Sequence, residues 1–396
     1  MTTRLVLAGL GHAHLFVLEA AARGRLAGVD VTVCTGDDAH VYSGMVPGWI
    51  RDRYVRAELA LDVDALCRRA GATRVPHHVT GVDPRARIVR LADGGSVAFD
   101  LCSIAVGSRP AGLTAVPGAA EHALALKPLA NVAQLRDRLD RLAASGRGAV
   151  TVVGGGLAGL EVAFAVRARL AARADAARGD AARWPDARPA RLAVTVLARE
   201  PQLLPSRPRL ARRVGRALAR HGIVALGDAE VTRVEAGAVH LADGRRVASD
   251  LTLWATGAAA PAWLAETGLA TDARGCLLVD GHLRAVAVAG AASGPWTAVF
   301  AAGDCATPLA APATEKAGVY AVRMGPVLAR TLAAAAAGRA LPAPYVPQRR
   351  FLTLVDTGDG RAIASRGRWT AEGRWVAWWK DRLDRGFVQR FERLCG

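Results

Sequence analysis

The sequence predicts an α/β protein with two Rossmann-like units, followed by a small C-terminal α+β module. Three observations carry this. Leu5-Val6-Leu7-Ala8-Gly9-Leu10-Gly11 runs from an apolar strand into a glycine turn and then a helix. Val150-Thr151-Val152-Val153-Gly154-Gly155-Gly156 does the same about 145 residues later, and each is followed by a second apolar strand, as a βαβ unit requires. The last sixty or so residues change character, with four of the nine tryptophans between Trp369 and Trp379.

The glycines have a physical purpose. They let the backbone turn sharply and approach a pyrophosphate, while the following helix offers unpaired N–H groups and its positive dipole end. Two such turns suit a chain that holds two dinucleotides. The second turn is a full G-x-G-x-x-G, with Gly154, Gly156 and Gly159. In the first, His14 stands where the third glycine belongs, so the usual glycine contact between helix and strand is lost. Either His14 only fills space, or His12 or His14 donates to a phosphate or lies near the bound ring system.

The elements follow in order. Residues 4–9 read as a strand, 13–23 as a helix and 29–34 as the second strand. The place at its end that usually holds a ribose-binding carboxylate has Thr35, with Asp37 two residues on. His40–Trp49 shows neither period and reads as a loop packed on a flat ligand. Thr73–Val82 and Arg87–Leu91 look β-like, Asp93-Gly94-Gly95 is a turn, and Asp100–Val106 is an apolar strand ending at Gly107. The helix after Val150–Val153 extends to about Ala177, Gly179–Pro189 reads as a surface loop, and Ala193–Leu197 is the unit's second strand. Leu251–Gly257 closes that unit. Ala298–Ala301 is a strand leading to Gly303-Asp304, and a helix from about Glu315 to Ala337 is kinked or restarted at Pro326.

Composition excludes several classes. With 396 residues and 52% hydrophobic content, two or three domains with ample cores are expected. The formal charge of +17 is nearly all arginine, for Lys127, Lys316 and Lys380 are the only lysines. Arginine and alanine are spread throughout, which reads as compositional bias, and no nucleic-acid motif accompanies them. The six cysteines form no C-x-x-C and no metal spacing, so a reduced, cytosolic thiol state and no metal are expected. The apolar run after Arg4 is too short for a signal peptide, and the uncharged stretch Ala285–Gly303 is broken by Ser293-Gly294-Pro295 and would not span a bilayer.

Five phrases together carry a family resemblance: Gly9-Leu10-Gly11, Ile104–Pro110, Gly154–Glu161, Ala255-Thr256-Gly257 and Phe300–Asp304. On these, residues 4–335 resemble the two-dinucleotide-binding-domain flavoproteins of the pyridine nucleotide–disulfide oxidoreductase superfamily. Within it the chain is similar to type II NADH dehydrogenases. Nearer still is the flavoprotein subfamily found alone or fused ahead of selenide, water dikinase, on Gly11–His14, Tyr42–Trp49, Lys316–Arg323, Gln348–Leu352 and Trp379–Arg382. No kinase half is present.

The resemblance implies an NAD(P)-binding domain (116–260) inserted in an FAD-binding domain (1–115 and 261–337), with a C-terminal module at 338–396. Gly9 and Gly11 would face the FAD pyrophosphate. Asp304 would bond the ribityl chain or a phosphate, against the plain alternative of a helix N-cap. Lys316, Ala317 and Gly318 would start a helix aimed at the flavin O2 edge, with Lys316 either catalytic or simply exposed. Gly154, Gly156 and Gly159 would hold the NAD(P)H pyrophosphate. Glu161 would lie by the nicotinamide–flavin stack or be an ordinary solvated residue. Gly107 and Gly257, with His12, His14 and Thr35, complete the cofactor set. Arg199 would suit the 2′-phosphate of NADPH and Glu200 the 2′-hydroxyl of NADH, with NADH favoured by the resemblance.

No cysteine pair stands where disulfide reductases carry one. Cys276 and Cys305 are the only remote candidates for flavin-side cysteines of the sulfide:quinone type. The expectation is therefore an FAD-dependent NAD(P)H dehydrogenase serving a quinone-like or other diffusible acceptor without a dithiol relay. The alternative is a non-catalytic flavoprotein, a redox sensor or accessory in selenium metabolism. Trp375, Trp379, Leu383, Phe387, Phe391 and Leu394 share one helical face. That face either docks on anionic membrane, making the cytoplasmic protein peripheral on the inner face of the plasma membrane, or packs on the chain's own body or a second subunit in a homodimer.

Overall fold

The computed structural model describes residues 2–127, 131–181, 191–288 and 298–395. The chain begins with β1 (Thr3–Ala8), α1 (His12–Ala22), β2 (Val29–Cys34), the short α2 (Val46–Ile50), β3 (Thr73–Val75) and β4 (Leu101–Ile104). β1 pairs in parallel with β2 on one side and β4 on the other. Both its faces are covered, so Leu5–Ala8 form a continuous apolar run instead of an alternating one.

A second sheet follows. Its elements are β5 (Ala123–Ala125), α3 (Asn131–Ser145), β6 (Arg147–Val153), α4 (Leu157–Ala181), β7 (Arg191–Leu197), α5 (Pro208–Arg220), β8 (Ile223–Leu226) and β9 (Leu251–Trp254). The strand order is β5-β9-β6-β7-β8, all parallel. β10 (Val299–Ala301) then returns to the first sheet beside β4, giving β10-β4-β1-β2-β3. One Rossmann-like sheet is thus inserted in the other. In both, the glycine turn leaves the C-terminal end of a central strand whose two neighbours lie on opposite sides, which opens a crevice there. After β10 come α6 (Gly318–Ala336), the antiparallel strands β11 (Thr353–Asp356), β12 (Ala362–Arg366) and β13 (Trp369–Gly373), and α7 (Arg374–Cys395).

Four local expectations need correction. The segment 40–49 is not a plain loop: Ala39–Val41 pairs with Ala60–Asp62, and α2 follows a short turn of 3₁₀ helix at Ser43–Met45. Pro47 sits in α2's first turn, where its missing N–H costs nothing. Thr73–Val82 is broken into β3 and the antiparallel strand Val79–Asp83. α6 starts at Gly318 and runs through Pro326 without a break. α4 runs to Ala181, past the expected start of a loop at Gly179, and the rest of that expected loop, 182–189, lies outside the described residues.

The core is continuous from β1 to the end of the chain, with Val388 and Phe391 of α7 buried in the same cluster as Leu5 and Phe16. The apolar stripe foreseen on α7 is therefore divided. Phe391 is fully buried and Phe387 stacks on Tyr42 at 4.4 Å, whereas Trp375 and Leu383 stay about half exposed.

Candidate dinucleotide-binding and redox site

At the first turn, Gly9 has φ +78°, and a side chain there would press on Ala105 O and Val106. A Cβ on Gly11 would lie 2.6 Å from Ala105 O. Gly11 is also the N-cap of α1, and no side chain caps it. α6 begins nearby from Ala317, again without a side-chain cap, and Gly318 faces His12 and Ser43. Two helix N-termini with unsatisfied N–H groups thus converge on one place. Gly107 (φ +70°) and Gly303 (φ +81°) make the tight turns that end β4 and β10. They bring Ser108 to Asp304, with Ser108 Oγ donating to Asp304 Oδ2 at 3.1 Å and Lys127 Nζ 3.6 Å from the same oxygen. Thr35 is buried at the end of β2, its hydroxyl accepting from Asp37 N at 3.3 Å.

His14 is not a ligand donor. Its Nδ1 lies 2.6 Å from Gly9 O, which can only accept, so Nδ1 carries the proton. Nε2 then accepts from Ser103 Oγ at 2.9 Å. Burial holds the ring neutral, with its pKa lowered to about 4. Both nitrogens are spent, and the ring fills the space of the absent glycine contact. His12 and His40 are different. His40 Nδ1 donates to Leu10 O at 2.8 Å, while its buried Nε2 has no partner within the protein. His12 packs edge-on against it, with ring centroids 4.8 Å apart. Burial lowers the pKa of both.

At the second turn the three glycines separate their roles. Gly154 (φ +131°) lies against Ala255 O, and a side chain there would collide with it. Gly159 lies on Gly154 O in the same way, so α4 can rest directly on the end of β6. Gly156 faces open space, where a pyrophosphate can approach the backbone. Arg199 and Glu200 follow β7, both exposed and 3.8 Å apart. Gly257 O accepts from Ala111 N at 2.7 Å and so ties the end of β9 to the segment that enters the second sheet.

Glu161 lies in a buried charged cluster. Its Oε1 accepts from Asp356 N at 2.9 Å and lies 3.9 Å from Lys380 Nζ. Lys380 donates to Asp384 Oδ2 at 2.8 Å and to Gly44 O at 2.9 Å. Tyr42 lies beside this group and helps to hold the Asp384 carboxyl down. Burial raises the Glu161 carboxyl to about 7, although Lys380 pulls it down, and burial likewise raises Asp384. The solvated-helix alternative for Glu161 is thereby removed. Lys316 is corrected in another way: its Nζ donates to Ala306 O at 2.5 Å and to Thr307 Oγ1 at 2.7 Å, so it pins the strand after Asp304 instead of lying exposed. Burial lowers its pKa.

Sequence reasoning missed Lys380, Asp384, Tyr42 and His40 as site residues. One signal was present. In a chain with 52 basic residues only three are lysine, and the structure places Lys127 by Asp304, Lys316 behind it and Lys380 by Glu161.

Two parallel sheets, each with a glycine turn leaving its central strand and a helix N-terminus behind that turn, define a protein of the double Rossmann-like class. The profile of the pyridine nucleotide-disulphide oxidoreductase family matches residues 3–331, and the chain belongs to that family. It is 29% identical over 382 residues to an NADH dehydrogenase-like protein of Mycobacterium tuberculosis, covering 92% of this chain and 88% of that one. It is 24% identical to the NADH dehydrogenase-like protein YutJ of Bacillus subtilis, over 70% and 72% of the two chains. Among solved structures, NDH2 from Plasmodium falciparum in complex with NADH superposes with a TM-score of 0.79 at 14% identity, covering 99% and 98%. The sulfide:quinone oxidoreductase of Aquifex aeolicus gives 0.78 at 15%, covering 99% and 92%. At such identities these two report the fold.

Proposed function

We propose that the chain is an FAD-dependent NAD(P)H dehydrogenase that passes electrons from reduced nicotinamide through the flavin to a quinone-like or other diffusible acceptor. The observation that carries this reading is the pair of glycine cradles, one on each parallel sheet. Gly9, Gly11, Thr35, Gly107, Asp304, Ala317 and Gly318 would hold FAD, with His12 and the unpartnered His40 Nε2 beside them. Gly154, Gly156, Gly159, Gly257 and one of Arg199 or Glu200 would hold the nicotinamide dinucleotide. When bound, FAD takes up a hydride and releases electrons singly or in pairs.

The chain's own residues supply orientation, charge and protons. The N-terminus of α6 offers partial positive charge to an anionic ring edge. Phe387, stacked on Tyr42 and 5.7 Å from His12 between ring centroids, covers this end of the site from water. Glu161, with a pKa near neutrality and Lys380 and Asp384 beside it, can hold one proton and give it to a reduced acceptor. Cys276 and Cys305 are buried, their thiols point at backbone carbonyls, and burial raises their pKa values, all of which favours a route without a dithiol relay. The purified protein should be yellow and should bleach with NADH under anaerobic conditions. A colourless protein that FAD cannot reconstitute overturns the reading. Flavin reduction only over minutes, with no quinone turnover, would point to the non-catalytic accessory role.

No helix among the described residues is long and apolar enough to cross a membrane. The exposed Trp375, Trp378 and Leu383 on α7, next to Arg374 and Arg382, support shallow attachment to anionic lipid at the inner face of the plasma membrane. Flotation with anionic liposomes that survives replacement of both tryptophans by serine would refute this attachment.

A further inference from the structure

A second cleft opens at the far ends of α1 and α6, away from the glycine turns by the length of α1, about 16 Å at 1.5 Å per residue. Its volume is about 560 Å³, within the range of small-molecule sites. The floor is apolar: Phe16, Ala20, Leu26 and Ala329 are each less than a tenth exposed, with Ala333 beside them. The rim is basic. Arg23, Arg25, Arg330, Arg339 and Arg390 line it, against a single carboxylate, Glu19.

Glu19 is already committed. It accepts from Arg23 at 2.7 Å and from Arg390 at 2.7 Å, and the Arg390 guanidinium lies over the Phe16 ring at 4.7 Å. Arg25, Arg330 and Arg339 are exposed and have no carboxylate partner among the described residues. The plain explanation is that they complement the C-terminal ends of α1 and α6. Two helix ends together present roughly one negative charge, whereas five arginines and one glutamate leave four positive charges. About three remain unbalanced over an apolar floor.

We propose that this cleft binds an anionic amphiphile: an acid head group, phosphate or carboxylate, among Arg25, Arg330 and Arg339, with its hydrocarbon chain over the alanine floor. Guanidinium groups suit such a head because their planar donors meet two oxygens at once. The chain length is limited by the floor, and a bulkier residue at Ala333 would close it.

The test uses the full chain loaded with FAD and titrates dodecyl phosphate, below its critical micelle concentration, by calorimetry. Three further arms are inorganic phosphate, phosphatidylglycerol vesicles and sedimentation of the protein alone. The variants are R25A/R330A/R339A and A333W, with flavin content checked for each. The expected result is saturable one-to-one binding, weakened at least tenfold in both variants, with inorganic phosphate at least tenfold weaker than dodecyl phosphate. Parallel loss of vesicle binding in the triple variant would identify membrane lipid as the source of the head group, and unchanged vesicle binding would identify a free amphiphile; both uphold the site. Equal binding of inorganic and dodecyl phosphate, wild-type affinity in both variants, or a stable dimer of wild type that the triple variant abolishes would overturn it.

Discussion

At the second glycine turn α4 rests on β6 through Gly159, packed on the carbonyl of Gly154. At the first turn the His14 ring stands in the corresponding place and ties Gly9 O to Ser103. The two turns share their first two glycines and differ in the third. Of the shared positions, Gly9, Gly11 and Gly154 are constrained by backbone geometry or close approach of a neighbouring strand, while Gly156 borders open space. The third is a packing contact, and a buried ring that satisfies both its nitrogens replaces it.

The largest break of this comparison is G159V. Its side chain has only backbone to displace, so α4 should move off β6. We expect kcat/KM for NADH to fall by at least about 100-fold, roughly 2.7 kcal/mol of transition-state stabilisation, with flavin content kept. G11V should do the reverse and empty the flavin site, read from the visible absorbance of the purified protein. Next is H14G, which writes the full fingerprint into the first turn. Because the ring fills that place, the change leaves a void and frees Gly9 O and Ser103. A loss of about 2–4 kcal/mol in denaturant unfolding is expected; a stabilised H14G would show that the third glycine is the better solution at both turns. S103A should cost about 1 kcal/mol alone and almost nothing in the H14G background, since both changes remove the same hydrogen bond.

The pH dependence of the two regions has opposite sign. The raised Glu161 carboxyl contributes stability that is fully present below about pH 4.5 and is lost as pH rises through about 7. The lowered His14 and His40 contribute stability that is present above about 6.5 and lost as pH falls through about 4. Thermal melts from pH 4.5 to 7.5 should therefore differ between wild type and E161Q by a term that grows with pH in favour of E161Q. A constant difference would remove Glu161 from the titrating groups. The smallest effect concerns coenzyme choice: R199A should lower use of NADPH several-fold and leave NADH almost unchanged, because the guanidinium is exposed and screened.

The glycine turns were legible in the sequence because a positive φ and a close backbone approach admit few residues. The strands of both parallel sheets were legible for a similar reason, since burial on two faces leaves unbroken apolar runs such as Leu5–Ala8. What a helical face packs against was not legible. The period of Trp375, Leu383, Phe387 and Phe391 names a stripe, but only the tertiary fold decides that Phe391 meets Phe16 at 5.2 Å while Trp375 stays exposed. The cluster from Glu161 to Lys380 was hidden likewise, because polar partners remote in sequence leave no local pattern, and the tie from Lys316 to Thr307, nine residues apart across a turn, follows no helical or strand period. At 40–49 the lack of period concealed elements too short to show one, as α2 spans only Val46–Ile50.

The position of α7 sets a schedule for biosynthesis. Arg390 and Glu19 are 371 positions apart, and Lys380 reaches Gly44 across 336. The first cradle is therefore synthesised long before the helix that packs on His12 and Tyr42. Until α7 is made, Tyr42 and His12 lack the Phe387 ring that packs on both. A chain cut short before α7 would carry both glycine turns and neither Lys380 nor Phe387, and so would lack the residues that pack on Gly44 and Tyr42.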